Sequence, residues 1–186
     1  MKNLNELRDR AYKIACEHGL HEEGLSDKHC LMLVIKELSE AVEADRKGNY
    51  AYQKISSTSR YTSFPTSENR FKKEFKAFIK NTVEDKLADA VIRLLDLAGL
   101  MDIEAQRIQT MDEAYVSLFK SMTFTECIYV IVTYITKYER SIPSCINFSL
   151  SIIFVLAESR GIDLLWHINE KMEYNELRPS KHVEKY

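Results

Sequence analysis

Glycine and proline are scarce in this 186-residue chain, at five and three. Collagen-like and low-complexity architectures need one or the other in bulk, so both are excluded. Cysteine is scarce too: Cys16, Cys30, Cys127 and Cys145 are the full set, and no two stand as CxxC. Zinc fingers and dithiol redox sites need that pairing. The four are therefore expected to be reduced packing residues in a cytoplasmic protein. An excess of one charge is missing, since 26 Lys and Arg face 28 Asp and Glu for a net −2. Neither a nucleic acid nor a membrane surface is expected as partner. No apolar run follows Met1, so no secretory signal is expected. The apolar stretch Ile142 to Ala157 spans 16 residues and includes Pro143 and three serines. That is short of the roughly 20 residues of a membrane span, and a buried helix is expected instead.

What is present suits a globular chain: 45% hydrophobic and 29% charged residues. At this length about 70% of the unfolded surface is buried in one domain, taken here as residues 1–186. Apolar residues recur at three-and-four spacing almost throughout, which predicts an all-α helical bundle. A first helix runs from about Asn3 to His18, with Gly19 as its cap. Ser26 and Asp27 cap a second, through Leu31 and on to Gly48, which carries the stripe Leu31, Val34, Ile35, Leu38, Ala41 and Val42. This second helix is the expected centre of the fold. Residues 49–70, rich in Ser, Thr and Tyr, show no stripe and are expected to form a long surface loop. A short basic helix from Phe71 to Ile79 follows. Thr82 then caps a strong helix with Leu87, Val91, Leu94, Leu95 and Ala98 inward. Extra helices are expected within residues 110–160, interrupted at Ile142 and Pro143. The β-branched run IYVIVTYI is ambiguous by propensity, and its length and neighbours decide for helix. Asp163 opens a last helix that ends before Pro179.

The chemistry-bearing residues lie on two of these helices. Glu37 and Glu40 stand three apart, on one helix face, with Cβ atoms about 5–6 Å apart. Asp85 and Asp89 sit on the helix after Thr82, Asp89 among Leu87, Ala88, Ala90 and Val91. One reading leaves such acids solvated on the helix flanks. The other brings the two helices face to face, with the acids around a cation. Two carboxylates 4 Å apart repel by about 4 kcal/mol at an effective dielectric near 20. Such a group needs a counter-cation, and an oxygen-seeking divalent ion is suitable. No ExxH occurs beside the acids, which disfavours a di-iron bundle.

The segments KELSEAVEADRKG and EDKLADAVIRLLDLAG resemble the MazG-like branch of the all-α nucleoside triphosphate pyrophosphohydrolases. That family carries ExxE on one helix and ExxD on the next. The C-terminal KMEYNELRPSKHVEKY resembles the family's closing segment. The likeness covers about residues 1–105 and 160–186. It implies that Glu37, Glu40 and Asp89, with Asp85, hold Mg2+, or Mn2+ in its stead. It implies Glu37, Glu40 and Asp89 as catalytic residues, and hydrolysis of a nucleoside triphosphate to the monophosphate and pyrophosphate. Lys171, Tyr174, Asn175 and Arg178 would then line the substrate pocket, in a homodimer or homotetramer. Without the resemblance, that last segment is a solvated helix end with cations suited to its dipole.

Two departures stand out. Val183 replaces a glycine of the closing segment, and Lys86 stands where the ExxD motif has its glutamate. Lys86 either weakens a metal site that Asp85 helps to complete, or neutralises Glu37 and Glu40 itself. The first outcome is an Mg2+-dependent pyrophosphohydrolase. The second is a non-catalytic relative that binds a nucleotide or a partner.

Overall fold

The computed structural model describes residues 4–21, 24–51, 67–107, 112–137 and 141–178. Eight α-helices and no strand form the secondary structure of these residues. They are α1 (Leu4–Glu17), α2 (Asp27–Arg46), α3 (Glu68–Phe78), α4 (Val83–Leu100), α5 (Asp112–Ser121), α6 (Phe124–Lys137), α7 (Ile142–Ser159) and α8 (Leu164–Glu176). The all-α bundle expected from the apolar spacing is the fold observed, and IYVIVTYI lies within α6.

The centre of the bundle is α4 rather than α2. Helix α4 packs on α1, α2, α7 and α8. Its buried residues go well beyond the predicted stripe of Leu87, Val91, Leu94, Leu95 and Ala98, and include Val83, Glu84, Asp85, Ala88, Ala90 and Leu97. Burial so nearly all round is what a helix with neighbours on every side requires. Helix α2 keeps a solvent face, where Met32 is exposed. Each buried leucine or valine of α4 contributes about 1.5–3 kcal/mol.

Local chemistry sets the ends of the helices that carry the acids. The Ser26 hydroxyl accepts the His29 N–H at the start of α2. Thr82 does the same for Asp85 N–H at the start of α4. Between α2 and α4 the chain passes beside α4's N-terminus: Val83 N–H donates to Asn49 O at 3.1 Å, and Ala51 N–H to Glu84 Oε2 at 2.8 Å. Helix α3 begins at Glu68, earlier than the apolar pattern suggested, because the Ser67 hydroxyl caps it through Arg70 N–H. The loop expected over 49–70 otherwise lies largely outside the described residues. Pro143 does not interrupt its neighbourhood. It sits in the first turn of α7, after the N-cap Ser141, where a missing N–H costs no helix bond.

Helices α7 and α8 complete the core. The apolar α7 is long enough in composition to cross a membrane, yet it lies mostly buried against α4, α5 and α6. Helix α8 packs on α4, and the Arg10 guanidinium ties α1 to it through two contacts with Glu176 at 2.7 and 2.9 Å. Under the C-terminal half of α8 is a smaller apolar cluster of Phe71, Phe75, Ile79 and Tyr174, with Trp166 packed against it. All four cysteines are free thiols. Cys127 and Cys145 are buried, and Cys16 is exposed.

Candidate functional site

Helices α2, α4 and α8 meet where their acids and lysines meet. Glu37 faces α4 with its side chain only 4% exposed, while Glu40, one turn on, is 39% exposed and forms the outer edge. Asp85 and Asp89 occupy the first two turns of α4 and point between α2 and α8. Four carboxylates thus share one region of the core boundary.

Two lysine ammonium groups stand among them. Lys86 Nζ donates to Glu37 Oε2 at 3.2 Å, contacts Glu40 Oε2, and lies 3.9 Å from Asp89 Oδ2. Lys171 Nζ, reaching in from α8, donates to Asp85 Oδ1 at 2.8 Å and Asp89 Oδ2 at 2.7 Å. Asp89 is therefore the hinge between the two lysines. Two further cations act from outside. Arg93 Nε donates to Glu37 Oε1 at 3.1 Å, and Lys36 Nζ lies 2.6 Å from Glu40 Oε1. The remaining Asp85 oxygen accepts Asn81 N–H at 2.7 Å. Glu37, Glu40, Asp85 and Asp89 are matched in number by Lys36, Lys86, Arg93 and Lys171.

The ionisation of the cluster follows from these contacts. Burial works against a charged Lys171, but Asp89 and Asp85 outweigh it and lift its pKa, so it stays protonated. The same opposition holds at Lys86, where burial is overcome by the hydrogen bond to Glu40 and by the charges of Glu37, Asp89 and Glu40. Burial also opposes ionisation of Glu40, yet Lys36 and Lys86 bring its carboxyl below the usual range. At Asp89 burial wins: its pKa is raised, with Lys171 holding it back.

A divalent cation asks for oxygen donors, and four carboxylates are donors of the right kind. As they stand, those oxygens hold ammonium and guanidinium groups. Among the described residues no group of three or more His, Cys, Asp or Glu is spaced to hold a metal ion. The donors fit the ion in chemistry, and Lys86 Nζ fills the space between three of them.

The residues expected to line a substrate pocket divide. Lys171 is in the cluster, but its ammonium is fully engaged with Asp85 and Asp89. Tyr174 is buried and stacks on Phe75 with ring centroids 4.3 Å apart, and Lys171 Nζ lies 5.8 Å from the same Phe75 ring. Asn175 keeps its side-chain oxygen buried without a hydrogen-bond partner among the described residues. Arg178 is exposed beyond the end of α8. Lys181, His182, Val183 and Lys185 lie outside the described residues. Arg93 and Lys36 were not picked out from the sequence, although spacing could have found both. Lys36 precedes Glu40 by four residues, and Arg93 follows Lys86 by seven, two turns along the same face.

No protein-family model, no curated protein and no solved structure matches this chain.

Proposed function

We propose that this chain is a nucleoside triphosphate pyrophosphohydrolase of the MazG-like kind. The observation that carries the reading is the gathering of Glu37, Glu40, Asp85 and Asp89 at one junction of α2, α4 and α8. So many carboxylates at the edge of a core are unfavourable unless cations are part of the design. Glu37, Glu40 and Asp89, with Asp85, are the residues that would hold Mg2+, or Mn2+ in its place. When bound, such an ion neutralises phosphate charge at the reacting centre.

Hydrolysis of the α–β linkage adds one water. Its oxygen bonds to phosphorus, the bridging P–O bond breaks, and a nucleoside monophosphate and pyrophosphate leave. Glu40, the most exposed of the four acids, is the candidate acceptor of the water's proton. Positioning and charge compensation would supply most of the rate. Tyr174 and Asn175 follow Lys171 along α8, Arg178 lies just past its end, and the three are the candidate companions of Lys171 on the substrate side. The same reading carries the expectation of a homodimer or homotetramer, which sedimentation would test.

A second reading is favoured by a specific contact. Lys86 Nζ already compensates Glu37, Glu40 and Asp89, and no metal is needed for the cluster to be neutral. Under that reading the chain is a non-catalytic nucleotide-binding or partner-binding relative. Pyrophosphate release from a panel of ribo- and deoxynucleoside triphosphates, with Mg2+ and with chelator, separates the two. Metal-dependent release supports the hydrolase. A folded protein that releases none from any substrate supports the second reading.

A further inference from the structure

Helix α6 lies at the surface, yet its outer side carries almost no charge. Phe124, Cys127, Ile128, Ile131 and Ile135 are its buried side, and it packs on α2 and α7. Thr125, Tyr129 and Thr136 are exposed on the other side, with Val132 and Thr133 half-buried between them. Tyr129 is 71% exposed, the most open of the large hydrophobic side chains among the described residues. Of the 14 residues of α6 only Glu126 and Lys137 are charged. Helix α3, with 11 residues, carries Glu68, Arg70, Lys72, Lys73, Glu74 and Lys76. A helix that faces water has no need to shed charge in this way, whereas the middle of a protein–protein interface is depleted of it.

The two charges that remain point to what covers the face. Eleven residues are about three helical turns, so Glu126 and Lys137 stand at opposite ends of one edge, about 16 Å apart along the axis. Thr123 fixes the Glu126 carboxylate through its N–H and its hydroxyl, both at 2.8 Å. Two α6 helices laid antiparallel about a two-fold axis near Val132 bring each Glu126 beside the partner's Lys137. Tyr129 then stands against the partner's Thr133. A parallel arrangement would set glutamate on glutamate and lysine on lysine.

We propose that the outer face of α6 is a self-association surface, on which a second copy of this chain lays its own α6 antiparallel. The proposal does not rest on the hydrolase reading, because α6 falls outside the segments that resemble that family. It also names a surface, which the expectation of a homodimer or homotetramer does not. One helix offers fewer residues than the 20–30 a side of a standard interface, so the dimer is a weak one, with a Kd of about 10–100 µM. The ion pairs set its register and direction more than its affinity.

Two measurements on the full chain test it. Sedimentation equilibrium of the wild type should show association in that concentration range. Tyr129→Glu places a carboxylate in the middle of the face, and Lys137→Glu sets acid against acid at both ends. Each should weaken association by at least about tenfold. A wild type that stays monomeric at about ten times the expected Kd overturns the proposal. So do variants, folded by circular dichroism, that associate as tightly as the wild type. The second measurement needs no variant. A carbodiimide joins a carboxylate to an amine as an amide, with loss of the reagent as a urea, only where the two groups touch. Within one chain three helical turns keep Glu126 from Lys137, so an amide between them has to link two chains. Mass spectrometry of the cross-linked dimer should find that link. A dimer cross-linked elsewhere, with Glu126 and Lys137 unjoined, overturns the proposal and places the pairing on another face. Pyrophosphate release, present or absent, changes none of these outcomes.

Discussion

Lys171 is the residue on which the buried half of the acid cluster depends. Among the described residues no other ammonium stands within hydrogen-bond distance of Asp85 and Asp89, since Lys86 is 3.9 Å from Asp89. Breaking a buried ion pair by removing one partner typically costs about 3–5 kcal/mol. Lys171→Met should lower stability by that order, read as a shift of the urea midpoint at constant slope. A loss well under about 1 kcal/mol would show that the acids had found other partners. His167 gives a second residue-scale prediction. Burial depresses its pKa to about 4, with Asp163 opposing, and its Nδ1 has no partner among the described residues. Its folded value lies below the unfolded one, so neutral His167 contributes stability at high pH that is lost as pH falls through 6.5 towards 4. Between pH 7.5 and pH 5 the loss is about 2 kcal/mol by linkage. Denaturation of the wild type and His167→Gln at both pH values checks this: the wild type should lose that much more than the variant. The acids at Glu37, Glu40 and Asp89 could be picked out by their spacing among apolar residues, whereas Lys86 stood out only through the resemblance to an ExxD motif. The seat of Lys171 was not. Spacing along α8 tells which residues share a face, but not which neighbour that face meets.

At the scale of elements, the most informative contact is the close approach of α1 to α4. A Cβ placed on Gly99 would stand 2.6 Å from Tyr12 Cβ, an atom fixed to the α1 backbone. Gly99→Ala therefore forces the two helices apart, and overpacking of this kind costs about 1–3 kcal/mol. A lowered melting temperature is expected, by several degrees for a domain of this size. An unchanged or raised melting temperature, as alanine's helix propensity alone would give, would contradict the close packing. Helix boundaries were mostly readable, because Ser26, Thr82 and Asp163 are capping residues that announce themselves. The central place of α4 was less so. Its stripe was visible, but Glu84 and Asp85 look like an exposed first turn until Ala51 N–H and Lys171 are seen to engage them. Polar residues buried by tertiary partners leave no mark in a hydrophobic pattern.

At the scale of the whole molecule, charge organises the junction of α2, α4 and α8. A chain with net charge near zero concentrates four acids and four cations where three helices join, rather than spreading them over its surface. A merely structural network and a metal-using active site look alike until one cation is exchanged for another. Pyrophosphate release from the wild type and Lys86→Glu, side by side in Mg2+ and in chelator, tests this most directly. Release that requires Mg2+ is expected in both proteins, and faster release in Lys86→Glu, where a carboxylate replaces the ammonium that now pairs Glu37 and Glu40. Two folded proteins that release no pyrophosphate in Mg2+ would contradict it.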